Sequence, residues 1–111
     1  MMTIAIREQY VEVLSAFGDM QSAVDLALQR FTIEQITARS ADLRRRDAEY
    51  RLRYGLDYLA FARRMAEDEG FVEKIERQVS KTWEIDLADW EYCHEGVKDW
   101  TRRLQSILLS S

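Results

Sequence analysis

The sequence predicts a mainly α-helical protein that carries one short strand at its N-terminus. The chain of 111 residues contains no proline and only four glycines, so few positions interrupt a helical backbone. Neither residue type occurs between Met20 and Tyr54, which predicts one long central helix. Apolar residues recur at intervals of three and four along most of the chain, whereas residues 2–7 alternate as a strand does. Beyond the central helix, the spacing predicts two to three further amphipathic helices.

The composition is that of a folded protein of one domain's size. Hydrophobic residues make up 47% of the chain and aromatic residues 11%, which argues against disorder. The formal charge of −4 provides no general attraction to nucleic acid or to acidic membranes.

The charges are segregated along the chain. Residues 39–64 contain eight arginines and four acids, a net charge of +4, whereas residues 65–99 contain eleven acids and four bases, a net charge of −7. Two interpretations are open. The two segments neutralise each other within one fold or across a dimer, or they form a docking surface for a charged partner.

The cysteine content and the N-terminus bear on the cellular location. Cys93 is the only cysteine, so no disulfide forms within the chain and a reducing, cytoplasmic location is expected. The N-terminus lacks the apolar stretch and cleavage site of a signal peptide, and no apolar run approaches membrane-spanning length. We therefore expect a cytoplasmic protein with no membrane segment.

Residues 2–7 form the predicted strand. Its two faces are Met2, Ile4 and Ile6 on one side and Thr3, Ala5 and Arg7 on the other. No second strand is predicted in the chain, so the simplest partner is the same strand of a second copy, paired about a twofold axis. We therefore expect a homodimer. A frayed or helical N-terminus is the alternative.

A short helix over residues 8–17 follows the strand, and Gly18 ends it. Asp19 is the expected cap of the long central helix, and Gly55 is the glycine expected to end it.

The central helix is long for the size of the chain, and Ser40 and Asp47 interrupt its apolar stripe. A straight helix of this length measures about 50 Å at the usual rise per residue. A compact chain of this size is only about 35 Å across. Unless the helix kinks near Ser40, we expect a second copy or another protein to cover part of its apolar stripe.

The order of strand, short helix, glycine turn and helix resembles the ribbon-helix-helix fold. The resemblance covers residues 2–36, where Ala-Phe-Gly-Asp leads into a helix containing SAVDLALQRF. This fold is common in antitoxins of bacterial and archaeal toxin–antitoxin pairs, whose paired strands lie in the DNA major groove. The resemblance implies that Thr3, Ala5 and Arg7 read base edges. Two features depart from the family: the central helix is longer than usual, and the N-terminal segment supplies little of the positive charge that phosphate binding needs.

The C-terminal half begins with a clear helix start. Asp57 is expected to cap a helix, with Leu56 packing against Phe61. Residues 71–83 predict an amphipathic helix that is bent or broken near Ser80 to Thr82. Residues 83–108 predict a last long helix, in which Gly96 predicts a close contact with another helix.

Two runs in this half resemble small antitoxin-like proteins that carry a long helix. The first is YGLDYLAFARRM, and the second comprises Trp83, Glu84, Asp86, Trp90 and Glu91. The resemblance covers most of residues 20–108. The residues predicted to contact a partner are Tyr58, Phe61, Trp83, Asp86, Trp90 and Glu91. Tryptophan is enriched at the energetic centres of interfaces, but a core is its commoner place, so a core role is preferred for the three tryptophans.

Catalytic chemistry is not expected. Glu91 and His94 have the spacing that places a carboxylate and an imidazole on one helix face, yet metal sites and catalytic triads need more ligands or histidines than this chain has. Cys93 has no second cysteine or histidine to activate it. We expect His94 to be hydrogen-bonded on a packed face. We predict no enzymatic activity, no metal, no cofactor and no small-molecule substrate.

These observations assign residues 1–54 to dimerisation and DNA binding, and residues 55–111 to partner binding. The predicted function is that of an antitoxin, which neutralises a small protein toxin by covering it and represses its own operator DNA as a second activity. The alternative is a helical adaptor or structural module that dimerises and binds a protein without DNA, and whose basic and acidic segments pair with each other.

Overall fold

The computed structural model describes residues 5–16 and 18–109, and these residues form five α-helices. The helices are α1 (Glu8–Ser15), α2 (Met20–Tyr54), α3 (Tyr58–Glu67), α4 (Glu69–Gln78) and α5 (Trp83–Leu109). The prediction of a mainly α-helical protein is confirmed. The single central helix is also confirmed, and it passes Ser40 without a break.

The predicted N-terminal strand is wrong. The described part of the chain contains no strand, and residues 5–7 have no regular structure. The carbonyl of Arg7 accepts hydrogen bonds from the N–H groups of Tyr10 and Val11, at 2.9 and 3.2 Å, and so begins α1. A strand needs a neighbouring strand to pair with its backbone, whereas this carbonyl is already engaged by the helix.

The loss of the strand removes the basis of the ribbon-helix-helix interpretation. Three residues of the predicted strand lie outside the described part of the chain: Met2, Thr3 and Ile4. Of the three predicted DNA contacts, Ala5 and Arg7 are therefore placed, and both are exposed. They lie before a helix and not on a paired ribbon.

Aspartate and glycine determine the ends of α2. A carboxylate oxygen of Asp19 accepts a hydrogen bond from the N–H of Ser22 at 3.0 Å, which satisfies one of the free N–H groups of the first turn. Gly18 has a φ of 117° and Gly55 a φ of 77°, values that other residues adopt only with strain. The N–H of Gly55 donates to the carbonyl of Arg51 at 2.8 Å. Both predicted ends are confirmed.

The chain divides into two compact units, and the boundary lies within α2, between Gln35 and Ile36. We call the described residues up to Gln35, which include α1 and the first part of α2, the N-terminal hairpin, and the unit that starts at Ile36 the C-terminal core. This boundary differs from the predicted division into residues 1–54 and 55–111. Tyr54 itself belongs to the apolar cluster of the C-terminal core, so the second half of α2 is part of that unit.

The C-terminal core packs around aromatic side chains. Trp90 and Phe61 are fully buried, and their ring centres are 5.4 Å apart. The rings of Tyr50 and Tyr54 lie 5.6 and 5.9 Å from that of Trp90. The other buried members of the cluster are Met65, Phe71 and Ile75. Burying one large apolar side chain contributes about 1.5–3 kcal/mol, so this cluster is the main source of stability of the unit.

Capping aspartates begin the next two helices. A carboxylate oxygen of Asp57 accepts from the N–H of Ala60 at 2.8 Å, as predicted, and Leu56 packs against the apolar cluster. Asp68 caps α4 in the same way, through the N–H of Phe71 at 3.0 Å. The predicted break near residues 80–82 is also confirmed, because α4 ends at Gln78 and α5 begins at Trp83.

Helices α2 and α5 approach closely at Gly96 in the C-terminal core. A Cβ atom at this position would lie 2.7 Å from Cδ1 of Leu43 on α2, closer than two carbon atoms pack. Only glycine therefore fits this contact without displacement, as the sequence predicts.

Candidate protein-binding surface

Acidic residues of α5 pair with basic residues of α2 inside the C-terminal core. Asp89 forms an ion pair with Arg46, and Asp86 forms one with Arg53 at 2.9 Å. Both carboxylates are half-buried. Of the two interpretations of the segregated charge, these pairs support neutralisation within one fold, because the basic segment and the acidic segment meet at both points.

The same two carboxylates accept hydrogen bonds from two tyrosines, of which Tyr54 is buried and Tyr50 half-buried. The hydroxyl of Tyr50 donates to Asp89 at 2.6 Å, and the hydroxyl of Tyr54 donates to Asp86 at 2.5 Å. Burial, followed by the hydrogen bond to Asp86, raises the pKa of Tyr54 to about 12. Burial and the bond to Asp89 also raise the pKa of Tyr50 well above its ordinary value. Both hydroxyls therefore stay protonated and keep donating at neutral pH.

The predicted partner-contact residues are mostly used within the fold. Phe61 and Trp90 are fully buried, so they present no surface to a partner. Tyr58 is half-buried, with its ring 5.8 Å from that of Trp90, and Asp86 is engaged by Tyr54 and Arg53.

The remaining two predicted contacts lie on α5. Trp83 is half-buried against the apolar cluster, and its Nε1 donates to Glu76 at 3.4 Å. Glu91 is exposed. The structure thus brings Tyr58, Phe61 and Trp90 together, but it does so in a core and not on a surface.

In the C-terminal core, Cys93 is fully buried and His94 is half-buried. Burial raises the pKa of the Cys93 thiol, so the thiol is a poor nucleophile. The ring of His94 packs against Tyr58, with centres 4.8 Å apart. Its Nε2 atom is buried without a hydrogen-bond partner, so the expected packed face is present and a hydrogen bond at this nitrogen is not. Among the described residues, no group of three or more histidine, cysteine or acidic side chains is placed to hold a metal ion.

The N-terminal hairpin has the opposite character to the C-terminal core. Not one of its described residues is buried. Five of its large apolar side chains are exposed to solvent, with exposed fractions between 44% for Leu28 and 61% for Phe31. The others in this exposed set are Tyr10, Val13 and Leu26. An apolar surface of this kind, clustered on one small unit, is typical of an interaction site.

A groove lies between the two helices of the hairpin. We call it the apolar groove, and its lining residues are Ile6, Tyr10, Val13, Leu14, Val24, Ala27 and Leu28. Its volume is about 290 Å³, and none of its lining side chains is charged. Phe31 follows one turn after Ala27 and Leu28 on α2 and extends the apolar surface.

The groove is absent from the sequence-based site predictions, although a signal for it exists. Val24, Ala27, Leu28 and Phe31 have the i, i+3, i+4, i+7 spacing of one helix face. That pattern predicts an apolar face but not whether the fold covers it.

The hairpin is also acidic, and its charges are free of ion pairs. Its described residues include two arginines, Arg7 and Arg30. They also include five acids, which are Glu8, Glu12, Asp19, Asp25 and Glu34. The net charge is therefore −3. Every ion pair found among the described residues involves positions from Asp42 onward.

The fold and this surface define an all-α protein with an uncovered helical hairpin. Comparison with known proteins adds no closer assignment, since no family model, curated protein or solved structure matches the chain. Within residues 5–16 and 18–109, no helix has both the length and the apolar run that crossing a membrane requires.

Proposed function

We propose that this chain is a helical interaction module that binds another protein through its N-terminal hairpin. The observation that carries the proposal is the absence of any buried side chain among the described residues of the hairpin, combined with five large, exposed apolar side chains. A helix is stabilised in proteins mainly by packing its apolar face. The hairpin supplies such a face and leaves it open.

Covering this surface provides a driving force for binding. Fully burying one large apolar side chain contributes about 1.5–3 kcal/mol, and these side chains, which are about half exposed, contribute a corresponding part of that before the entropic cost of association. Tyr10 and Phe31 are aromatic, and aromatic side chains are enriched among the residues that dominate binding energy. The same contacts complete the packing that the hairpin lacks.

The C-terminal core supports this function as a folded base. Its apolar cluster is closed, and Asp86 and Asp89 satisfy tyrosines and arginines of the same unit. These pairs favour the adaptor alternative over a docking surface built from the basic and acidic segments. Cys93 and His94 lie inside this unit, so the proposed function draws on neither of them.

Neutralisation of a protein toxin remains a narrower proposal within this class. An antitoxin of this kind would cover its toxin with the hairpin, because Phe61 and Trp90 are enclosed. Operator binding is not part of the proposal, since it depended on the predicted N-terminal strand, which the described residues do not form.

Site-specific photo-crosslinking tests the proposed function in the cell. A photoreactive phenylalanine analogue is placed at Phe31 or Tyr10 of the full chain. The matched control carries it at Tyr92, an aromatic residue of the C-terminal core with a similar exposed fraction of 64%. We expect a defined crosslinked species from positions 10 and 31 and none above background from position 92. Equal yields from all three positions, or no product from positions 10 and 31, would refute the hairpin as the binding surface.

A further inference from the structure

We propose that the occupant of the apolar groove is an amphipathic helix of another protein that carries Lys or Arg beside its apolar stripe. This inference rests on the proposed function of the hairpin and names the chemistry of its partner. It is carried by the shape of the groove and by the charge around it.

The groove has the form of a seat for one helix. Its lining comes from both helices of the hairpin, with Tyr10 and Val13 on α1 and Val24 and Leu28 on α2. A third helix that lies between two others buries a stripe with i, i+3, i+4, i+7 spacing. An extended peptide would leave backbone groups without partners in such a seat, because the described hairpin has no strand edge to pair with them.

The charge around the groove favours a basic occupant. Asp25 precedes Leu28 by three positions on α2, so its carboxylate lies beside the groove on the helix surface. It accepts a hydrogen bond from Gln21 at 2.8 Å and belongs to none of the ion pairs of the described residues. Glu34 lies three positions after Phe31 on α2, beside the extended apolar surface, and is likewise without an ion pair among the described residues. A helix with Lys or Arg at its flanks would meet these carboxylates and would be guided to the groove by their field.

The same charge argues against the two other natural occupants. A second copy of the chain would bring a second hairpin with a net charge of −3 against the first, and like charges at an interface oppose association. An anionic lipid surface would be repelled in the same way. A basic amphipathic helix is complementary both to the apolar lining of the groove and to the acidic residues around it.

Peptide titration with the full-length chain tests the inference. The first probe is a synthetic amphipathic helix of Leu and Lys. The second has the same Leu positions with Glu in place of Lys, and the third is a shuffled Leu/Lys peptide of identical composition without an apolar face. Binding is followed by the fluorescence anisotropy of the labelled peptides. We expect the first probe to bind about tenfold or more tightly than the other two, a difference of about 1.4 kcal/mol, and to weaken as salt is added.

Two sets of variants locate the binding. The double variant Val13→Asp with Leu28→Asp is expected to bind the Leu/Lys peptide about tenfold or more weakly than the unchanged chain does. Leu52→Asp, at a position of the C-terminal core that is 87% exposed, is the control that should leave affinity unchanged. Glu34→Gln with Asp25→Asn alters only exposed side chains, so it keeps the fold, and it is expected to weaken binding of the Leu/Lys peptide and not that of the Leu/Glu peptide.

The outcomes separate this inference from the proposed function. Equal or tighter binding of the Leu/Glu peptide would refute a basic occupant. An affinity for the Leu/Lys peptide that is unchanged by the Val13 and Leu28 substitutions would refute it as well. If no peptide binds and sedimentation shows a dimer that Val13→Asp with Leu28→Asp disrupts, the occupant is a second copy. That result would overturn this inference and would leave the hairpin as the binding surface, with a second copy as its partner. A chain that binds no peptide, stays monomeric and yields no crosslink from positions 10 and 31 would refute both.

Discussion

Trp90 and Asp47 show how one polar residue is placed inside an aromatic cluster. Trp90 is fully buried, and its indole N–H donates to a carboxylate oxygen of Asp47 at 2.7 Å. In the sequence, Asp47 interrupts the apolar stripe of the central helix. The structure supplies the reason, because a buried indole N–H needs an acceptor and Asp47 faces it from α2.

Replacing Asp47 with alanine is expected to destabilise the C-terminal core by about 1–3 kcal/mol, the usual cost of an unsatisfied buried donor. The measurement is urea unfolding at neutral pH. Asp42→Ala is the control, since Asp42 is more than half exposed and forms only surface ion pairs, which contribute about 0–1 kcal/mol. The loss from Asp47→Ala should shrink when Trp90→Phe has already removed the N–H. A full loss in that background would show that the hydrogen bond is not its cause.

The raised pKa of Tyr54 predicts that the protein loses stability at high pH. Its pKa is raised to about 12 in the folded chain, above the ordinary value of about 10. A raised pKa adds stability that is complete below pH 10 and is lost as the pH rises through 12. We expect the urea midpoint to fall between pH 10 and pH 12, and to fall less steeply in Tyr54→Phe. Tyr92→Phe, which changes an exposed tyrosine, is the control. Parallel curves for the wild type and Tyr54→Phe would contradict the prediction.

At the scale of helices, the sequence predicts the helix ends most accurately. Asp19 and Asp57 cap their helices as predicted, because a cap acts on N–H groups only two or three residues away. The strand prediction for residues 2–7 is wrong, because six residues fit more than one periodicity and the described residues contain no strand to pair with them. Asp68 is a cap that the sequence analysis does not include, although its carboxylate also accepts a hydrogen bond from the N–H of the residue three positions later.

Gly96 is expected to resist replacement by alanine. Alanine is favoured in a helix by about 1 kcal/mol over glycine, but its Cβ would press on Cδ1 of the buried Leu43, and overpacking costs about 1–3 kcal/mol. We expect a net loss of about 1 kcal/mol in urea unfolding. Gly70→Ala is the control, since a Cβ there meets only a carboxylate oxygen of Asp68 at 3.4 Å, and it should cause no comparable loss. A gain in stability from Gly96→Ala would show that the two helices are not in close contact.

At the scale of the whole molecule, the two units differ in how much of their apolar surface they cover. The C-terminal core closes around Trp90 and Phe61, whereas the N-terminal hairpin buries none of its described residues. The boundary falls inside α2, where the sequence has no glycine, proline or change of helical spacing to mark it. The sequence therefore predicts a division of the chain after Tyr54, at the next glycine.

Hydrogen exchange of the purified chain should reveal this difference along a single helix. Amides of residues 20–35 are expected to exchange faster than those of residues 43–54, since local opening is easiest where few apolar contacts must break. The comparison within α2 is its own control, because both segments have helical hydrogen bonds. Uniform protection along α2 would contradict the prediction. A bound partner on the hairpin should slow exchange in residues 20–35.

The chain's residue order was sufficient to recognise a helical protein, the limits of its central helix and the start of the helix after Gly55. These depend on backbone conformation and on hydrogen bonds between near neighbours, which short stretches of sequence specify. Whether an apolar face is covered depends on helices far apart in the chain. Only the packed structure could show that Trp90 and Phe61 are enclosed while Tyr10, Val13 and Phe31 stay open to a partner.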